Sequence, residues 1–235
     1  MNFITVKSYQ ALSKMSANII AAQVNMKPDS VLGFATGSTP IGTYKNLIEM
    51  YKNGLVDFSD VTSFNLDEYC GLSRENTQSY YYFMMDNLFS HVNISKENIN
   101  ILDGLADDVE RECSDYEDRI KQANGIDFQL LGIGHNGHIG FNEPDEKFYN
   151  NTRLVKLTDS TIEANKRFFE SADEVPKTAL SMGIKTIMSA KEILVLAGPD
   201  KAEIVNKLRT ESCSPSIPAS ILHYHPNCTI IWAEE

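Results

Sequence analysis

The sequence has little of what marks a secreted, membrane-bound or nucleic-acid-binding chain. Four cysteines, Cys70, Cys113, Cys213 and Cys228, are spread along 235 residues with no C-x-x-C pair. That spacing excludes a disulfide framework or a zinc finger and predicts reduced, mostly buried thiols. Basic residues are outnumbered, 21 Lys and Arg against 32 Asp and Glu for a net charge of −11, and they gather into no patch. Nucleic acid is therefore not an expected partner. No apolar run approaches the ~20 residues of a membrane span. The N-terminus, Met1-Asn2-Phe3-Ile4-Thr5-Val6-Lys7, lacks the basic and apolar regions of a signal peptide. A cytoplasmic protein with no membrane partner is the expectation. There is no internal repeat, low-complexity tract or Pro/Gly/Ser linker, which predicts one domain over residues 1–235.

What is present is an ordinary core-forming composition, 42% hydrophobic and 23% charged, in a chain long enough to bury roughly 70% of its unfolded surface. Short apolar runs at 4–6, 31–36, 61–66, 128–133, 193–197 and 229–232 read as buried strands. Segments 8–25, 39–53, 79–89, 113–124, 160–169 and 200–209 carry apolar residues at three- and four-residue intervals and read as helices. This alternation predicts an α/β fold, a Rossmann-like and mainly parallel sheet with helices on both faces. The polar stretches 142–151 and 210–218 read as long loops, and 140–151 as a mobile segment from its composition.

Ligands of open α/β sheets bind beyond the carboxyl ends of the strands, and three such places carry chemistry. Thr36-Gly37-Ser38-Thr39-Pro40 joins a strand to a helix whose unpaired N–H groups would face an anion, making it either a phosphate cradle or an ordinary Ser/Thr-capped turn. It is neither a Walker loop nor a dinucleotide fingerprint. Phe64-Asn65-Leu66-Asp67-Glu68-Tyr69 ends an apolar run in two acids. Asp67 is a candidate general base if desolvation raises its pKa, while Glu68 would point the other way along a strand. Leu131-Gly132-Ile133-Gly134-His135-Asn136-Gly137-His138-Ile139-Gly140-Phe141-Asn142-Glu143-Pro144 puts four glycines in nine residues around an imidazole, His138, that Glu143 can orient for proton shuttling. The H-x-x-H spacing of His135 and His138 has no third ligand in reach, so no metal is expected.

These three motifs, in this order and spacing, closely resemble glucosamine-6-phosphate deaminases, and the similarity continues through Ser79-Tyr80-Tyr81, Ala164-Asn165-Lys166-Arg167-Phe168-Phe169 and Val175-Pro176-Lys177-Thr178-Ala179-Leu180. The related 6-phosphogluconolactonases share the early loop and a Gly-His element. They carry Asp-Glu-Arg and Gly-His-Thr-Ala-Ser where this chain has Asp67-Glu68-Tyr69 and Gly137-His138-Ile139-Gly140-Phe141. The resemblance implies a cofactor-free enzyme, formally a hydrolase in its overall balance, that serves amino sugar metabolism. It would convert glucosamine 6-phosphate and water to fructose 6-phosphate and ammonia by ring opening and aldose–ketose isomerisation. It implies His138 and Glu143 for ring opening, with Asn136 in their relay, and Asp67 for the transfer between C2 and C1. Gly37, Ser38, Thr39, Arg167 and Lys201 would hold the phosphate.

Two departures stand out. Asn136 occupies a relay position where many members carry Asp, so the charge behind His138 would rest on Glu143. Longer members form hexamers activated by N-acetylglucosamine 6-phosphate, but here Glu146 and Val155 replace the Ser and Lys of that pocket. The expectation is an unregulated monomer. A lactonase and a non-catalytic sugar-phosphate sensor are the alternatives. The absence of a helix-turn-helix extension and the presence of acid, base and histidine weigh against the sensor.

Overall fold

The computed structural model describes residues 1–158, 161–163, 169 and 174–235. Among the described residues, ten strands lie in two sheets. Seven of them, β1 (Asn2–Val6), β10 (Cys228–Ala233), β9 (Glu192–Ala197), β6 (Phe128–Gly132), β2 (Val31–Phe34), β3 (Thr62–Asn65) and β5 (Ile99–Asn100), form a parallel sheet in that spatial order. The remaining three, β4 (Asp67–Tyr69), β8 (Thr178–Ser181) and β7 (Arg153–Lys156), form a small antiparallel sheet.

The two-residue period of the strands builds a core on each face of the parallel sheet. Along β9, Ile193, Val195 and Ala197 enter one apolar cluster while Leu194 and Leu196 enter the other. Helices α1 (Tyr9–Met26), α2 (Ile41–Lys52) and α3 (Tyr80–Asn87) supply the second cluster through Leu12, Ile20, Tyr44, Leu47 and Met84. Helices α4 (Val109–Gln122), α5 (Ile184–Met188) and α6 (Ala202–Thr210) supply the first through Tyr116, Ile187 and Leu208. Burial on both faces is what the continuous apolar runs require. Ser8 and Asp108 cap the starts of α1 and α4 by accepting the N–H groups of Ala11 and Arg111.

From β2 the chain runs outward through β3 to β5, and from β6 it runs the other way through β9 and β10. The order reverses between β2 and β6, which opens a crevice at their carboxyl ends. At the opposite end of the same strands, Asp127 accepts the backbone N–H of Val31 and pairs with Lys27 and Lys191. The sheet is thus stapled at its base and open at its top.

Several boundaries differ from the sequence reading. The run 61–66 holds one strand, β3, which ends at Asn65; after Leu66 the chain changes sheets and continues as β4. Helix α4 starts at Val109 rather than Cys113, and α2 starts at Ile41, two residues after Thr39. β5, β7, β8 and α5 were not expected. Helix 160–169 lies largely outside the described residues. Of the cysteines, all unpaired, Cys113 and Cys228 are buried and Cys70 and Cys213 half-buried. Among the described residues no helix is long and apolar enough to cross a membrane.

Candidate active site

The crevice is bounded by the two loops that leave β2 and β6. After β2, Gly37 adopts φ +98°, and Ser38 is exposed where the loop turns into α2. Tyr9 on α1 fixes this loop. Its hydroxyl lies 3.2 and 3.0 Å from the carbonyl oxygens of Ser38 and Thr39 and accepts the N–H of Gly42 at 2.9 Å. Tyr44 donates to the carbonyl of Ala35 from below. The loop is therefore held in place at the start of a twelve-residue helix, where unpaired N–H groups and the helix dipole favour an anion.

After β6 the glycine loop folds back on itself, Gly134 donating its N–H to the carbonyl of His138 at 3.0 Å. A Cβ on Gly134 would stand 2.3 Å from the His138 ring, so only glycine lets the imidazole lie there. Nδ1 of His138 is 3.3 Å from Oε1 of Glu143, an ion-pair distance without hydrogen-bond alignment. The Glu143 carboxylate also accepts Thr161 Oγ1 at 2.6 Å and Asn136 Nδ2 at 2.7 Å, while Asn136 Oδ1 accepts the His138 N–H at 3.1 Å. Burial alone would raise the Glu143 carboxyl. The contacts with His138, Thr161 and Asn136 outweigh it and hold the pKa at about 2.

Asp67 shows the opposite behaviour. It opens β4 almost fully buried, and desolvation, reinforced by the neighbouring Glu68 charge, pushes its pKa up to about 8. Glu68 faces away from it and accepts three backbone N–H groups, Tyr69 and Tyr80 at 2.8 Å and Tyr81 at 2.9 Å, closing the start of α3. The second acid is thus a structural cap, and burial still raises its pKa against those three donors. Above Asp67 lies Gly140 at φ +56°. A Cβ there would meet Ser181 Oγ at 3.1 Å and Asp67 Oδ2 at 3.4 Å, so the loop that carries His138 and Glu143 also roofs the carboxylate.

An aromatic cluster that the sequence reading did not single out walls this side. Tyr69 and Tyr80 rings are 4.7 Å apart and Phe141 stacks on Tyr80 at 6.1 Å and 9°. Tyr80 lies against Thr36, which joins the anion loop to the Asp67 side. Each of the three aromatics lies in a motif that carries the resemblance, but no local pattern says that they meet. Phe141 and Asn142 are buried and hydrogen-bonded, so the expected mobile segment 140–151 is anchored at its start.

The structure brings Asn136, His138 and Glu143 together on the glycine loop with Asp67 beneath it, and Gly37, Ser38 and Thr39 follow β2, the strand beside β6. Lys201 lies beyond β9, its side chain mostly covered and its Nζ 2.9 Å from Asp200, whose Oδ2 also contacts exposed His135 at 3.1 Å. Arg167 lies outside the described residues. Among the described residues no cluster of His, Cys, Asp and Glu could hold a metal ion.

Comparison with known proteins converges on one family. The family model described as glucosamine-6-phosphate isomerases/6-phosphogluconolactonase matches residues 6–232. The glucosamine-6-phosphate deaminase of Lachnoclostridium phytofermentans is 58% identical over 232 residues, 98% of each chain. That of Thermoanaerobacter pseudethanolicus is 53% identical over all of this chain and 93% of its own. A solved monomeric glucosamine-6-phosphate deaminase superposes with a TM-score of 0.97 at 45% identity, covering 100% of this chain and 98% of that one. A 6-phosphogluconolactonase from Thermotoga maritima, 17% identical with a TM-score of 0.78 over 99% of this chain and 98% of that one, shares the fold. With a family model spanning nearly its whole length, the chain belongs to the glucosamine-6-phosphate isomerase/6-phosphogluconolactonase family.

Proposed function

We propose that the protein is a glucosamine-6-phosphate deaminase, converting glucosamine 6-phosphate and water to fructose 6-phosphate and ammonia without a cofactor. The names of the most similar relatives support this, and they describe a deaminase; "hydrolase" fits only the net uptake of water. The observation that carries the reading is the meeting of two differently tuned acid–base groups, one on β4 and one on the glycine loop that roofs it. Asp67 is pushed up toward neutrality beneath Gly140, and His138 is backed by a firmly ionised Glu143.

Each step needs one of these groups. His138 takes the anomeric hydroxyl proton and returns one to the ring oxygen, with Glu143 stabilising the imidazolium between the two transfers. Asp67 as carboxylate then removes the C2 proton and, once protonated, delivers it to C1 through an enolamine. The resulting C2 imine adds water and releases ammonia. A carboxyl titrating near the working pH suits a group that must be base and acid in succession. Gly37, Ser38 and Thr39, with Lys201 and Arg167, hold the phosphate. Asp200, now on Lys201, would yield that cation to a dianion of higher charge.

A monomer without activation by N-acetylglucosamine 6-phosphate is part of the proposal. Glu146 and Val155 support it, as does the word monomeric in the description of the 45%-identical structure. The test is a coupled assay of purified protein with glucosamine 6-phosphate, following ammonia and fructose 6-phosphate together, with and without the acetylated sugar. Equimolar products and indifference to the acetylated sugar are expected. Hydrolysis of 6-phosphogluconolactone above the spontaneous rate, with neither product formed from the amino sugar, would overturn the assignment.

A further inference from the structure

The small antiparallel sheet sets three residues in one row. Ser181 on the middle strand β8 is the register partner of Asp67 on β4 and of Arg153 on β7. Residues paired across antiparallel strands point their side chains to the same face. On that face lies the tip of the glycine loop, and three consecutive loop residues meet the three row members in turn. Gly140 roofs Asp67, the Phe141 N–H donates to Ser181 Oγ at 3.0 Å, and Asn142 Oδ1 accepts Arg153 Nη1 at 2.8 Å.

The Arg153 contact decides how Asn142 is oriented. With Oδ1 committed to the guanidinium, Nδ2 faces two carbonyls, Ile139 at 3.0 Å and Met182 at 2.8 Å, closing the turn 139–142 and tying it to the end of β8. Arg153 is itself held over the Tyr149 ring at 4.2 Å, and α4 fixes the start of its strand through Glu117, which accepts the Thr152 N–H at 2.7 Å. A rotated amide would put Oδ1 against those carbonyls and leave buried groups unpaired. The residue after Asn142 is Glu143. The same turn therefore sets both the cover on Asp67 and the anchor of His138.

We propose that Arg153, acting through Asn142 beside the bond from the Phe141 N–H to Ser181, is a positioning residue that registers the two acid–base groups of the site against each other. It touches neither substrate nor reacting atoms, and the proposal rests on the deaminase reading above. Misplacing reacting groups by about 1 Å costs up to roughly 100-fold. A loosened turn also admits water to Asp67, which lowers its pKa. The titratable groups whose charge acts on Asp67, or is acted on by it, are Glu68 and Tyr69 on its own strand, Tyr80 on α3 and Tyr116 on α4. Burial keeps the three tyrosines neutral through the relevant range, so the acid limb of kcat/KM reports the carboxyl pair.

The experiment compares wild type with Arg153→Met, Arg153→Lys, Arg153→Ala and Ser181→Ala, measuring kcat, KM and the pH profile. Arg153→Met should lower kcat by about 30-fold with KM within about twofold. Its acid limb should move to lower pH. Arg153→Lys should recover part of the loss, since one donor still reaches Oδ1, and guanidinium ion added to Arg153→Ala should restore turnover. Ser181→Ala, a minimal change expected to fold, should give the same pattern at about fivefold. Unchanged kcat in folded Arg153→Met and Ser181→Ala, or lost activity with an unmoved acid limb and no guanidinium rescue, would overturn the proposal. If wild type itself releases no ammonia from glucosamine 6-phosphate, it is the deaminase reading that fails.

Discussion

The two walls of the crevice hold one carboxylate each, and their environments drive those carboxylates apart. On the β4 wall Asp67 is surrounded by apolar and aromatic groups and a second acid, and its charge is penalised. On the wall formed by the loop after β6, Glu143 is less deeply covered and collects an imidazole, a hydroxyl and an amide, and its charge is favoured. Burial pushes both upward, more so at the deeper Asp67, and at Glu143 the groups facing the carboxylate reverse the direction. Glu68, adjacent to Asp67, adds a third case: three backbone donors make an acid a helix cap instead of a base. Pairs of acids separated in this way mark the division of acid–base labour in enzymes.

The largest effect should come from removing the β4 member of the comparison. Asp67→Asn should lower kcat by about a thousandfold with KM little changed, since the base acts on the transition state; near-normal turnover would remove Asp67 from the mechanism. On the other wall, His138→Gln and Glu143→Gln should each lower kcat/KM by about 100-fold with the cyclic sugar. Full activity of either would leave ring opening unexplained. Lys201→Ala should act mainly on binding, raising KM about tenfold at similar kcat, and an unchanged KM would return Lys201 to its pairing with Asp200 alone.

The smallest effect is on stability and has opposite signs on the two walls. Asp67 binds its proton more tightly folded than unfolded, so its charge subtracts stability progressively between about pH 4 and pH 8. Asp67→Asn should therefore raise Tm at pH 9 by a few degrees and have little effect at pH 4. Glu143 releases its proton more readily when folded. Its contribution is present above the ordinary carboxylate range and lost as pH falls toward about 2. Glu143→Gln should lower Tm at pH 7 and converge with wild type in acid. Thermal scans of both variants across pH separate the cases, and a Tm difference independent of pH would count against the opposed tuning.

Much of this arrangement was legible in the sequence because it obeys local rules. The alternation of period-two and period-3.6 segments marked six strands of the parallel sheet and most of its helices, and glycines and acids just past β2, β3 and β6 marked the crevice. The antiparallel sheet was not legible. Its strands are three or four residues long, too short to show a period, and Arg153 and Ser181 join Asp67 only through long-range pairing. The clash-free place for Asp67 beneath Gly140 is likewise a tertiary fact, whereas the glycine count in the loop announced unusual backbone without saying what it approaches. Strand alternation already points Glu68 away from Asp67, but its role at the start of α3 is not legible, since a cap across twelve residues has no local signature.

The central claim is that two carboxylates in one crevice are tuned in opposite directions. Carboxyl-carbon NMR titration of wild type, with signals assigned through Asp67→Asn and Glu143→Gln, measures it directly. The account predicts a signal lost with Asp67 that titrates near pH 8 and one lost with Glu143 that stays ionised down to about pH 2. Two carboxyls both titrating near pH 4 would contradict it.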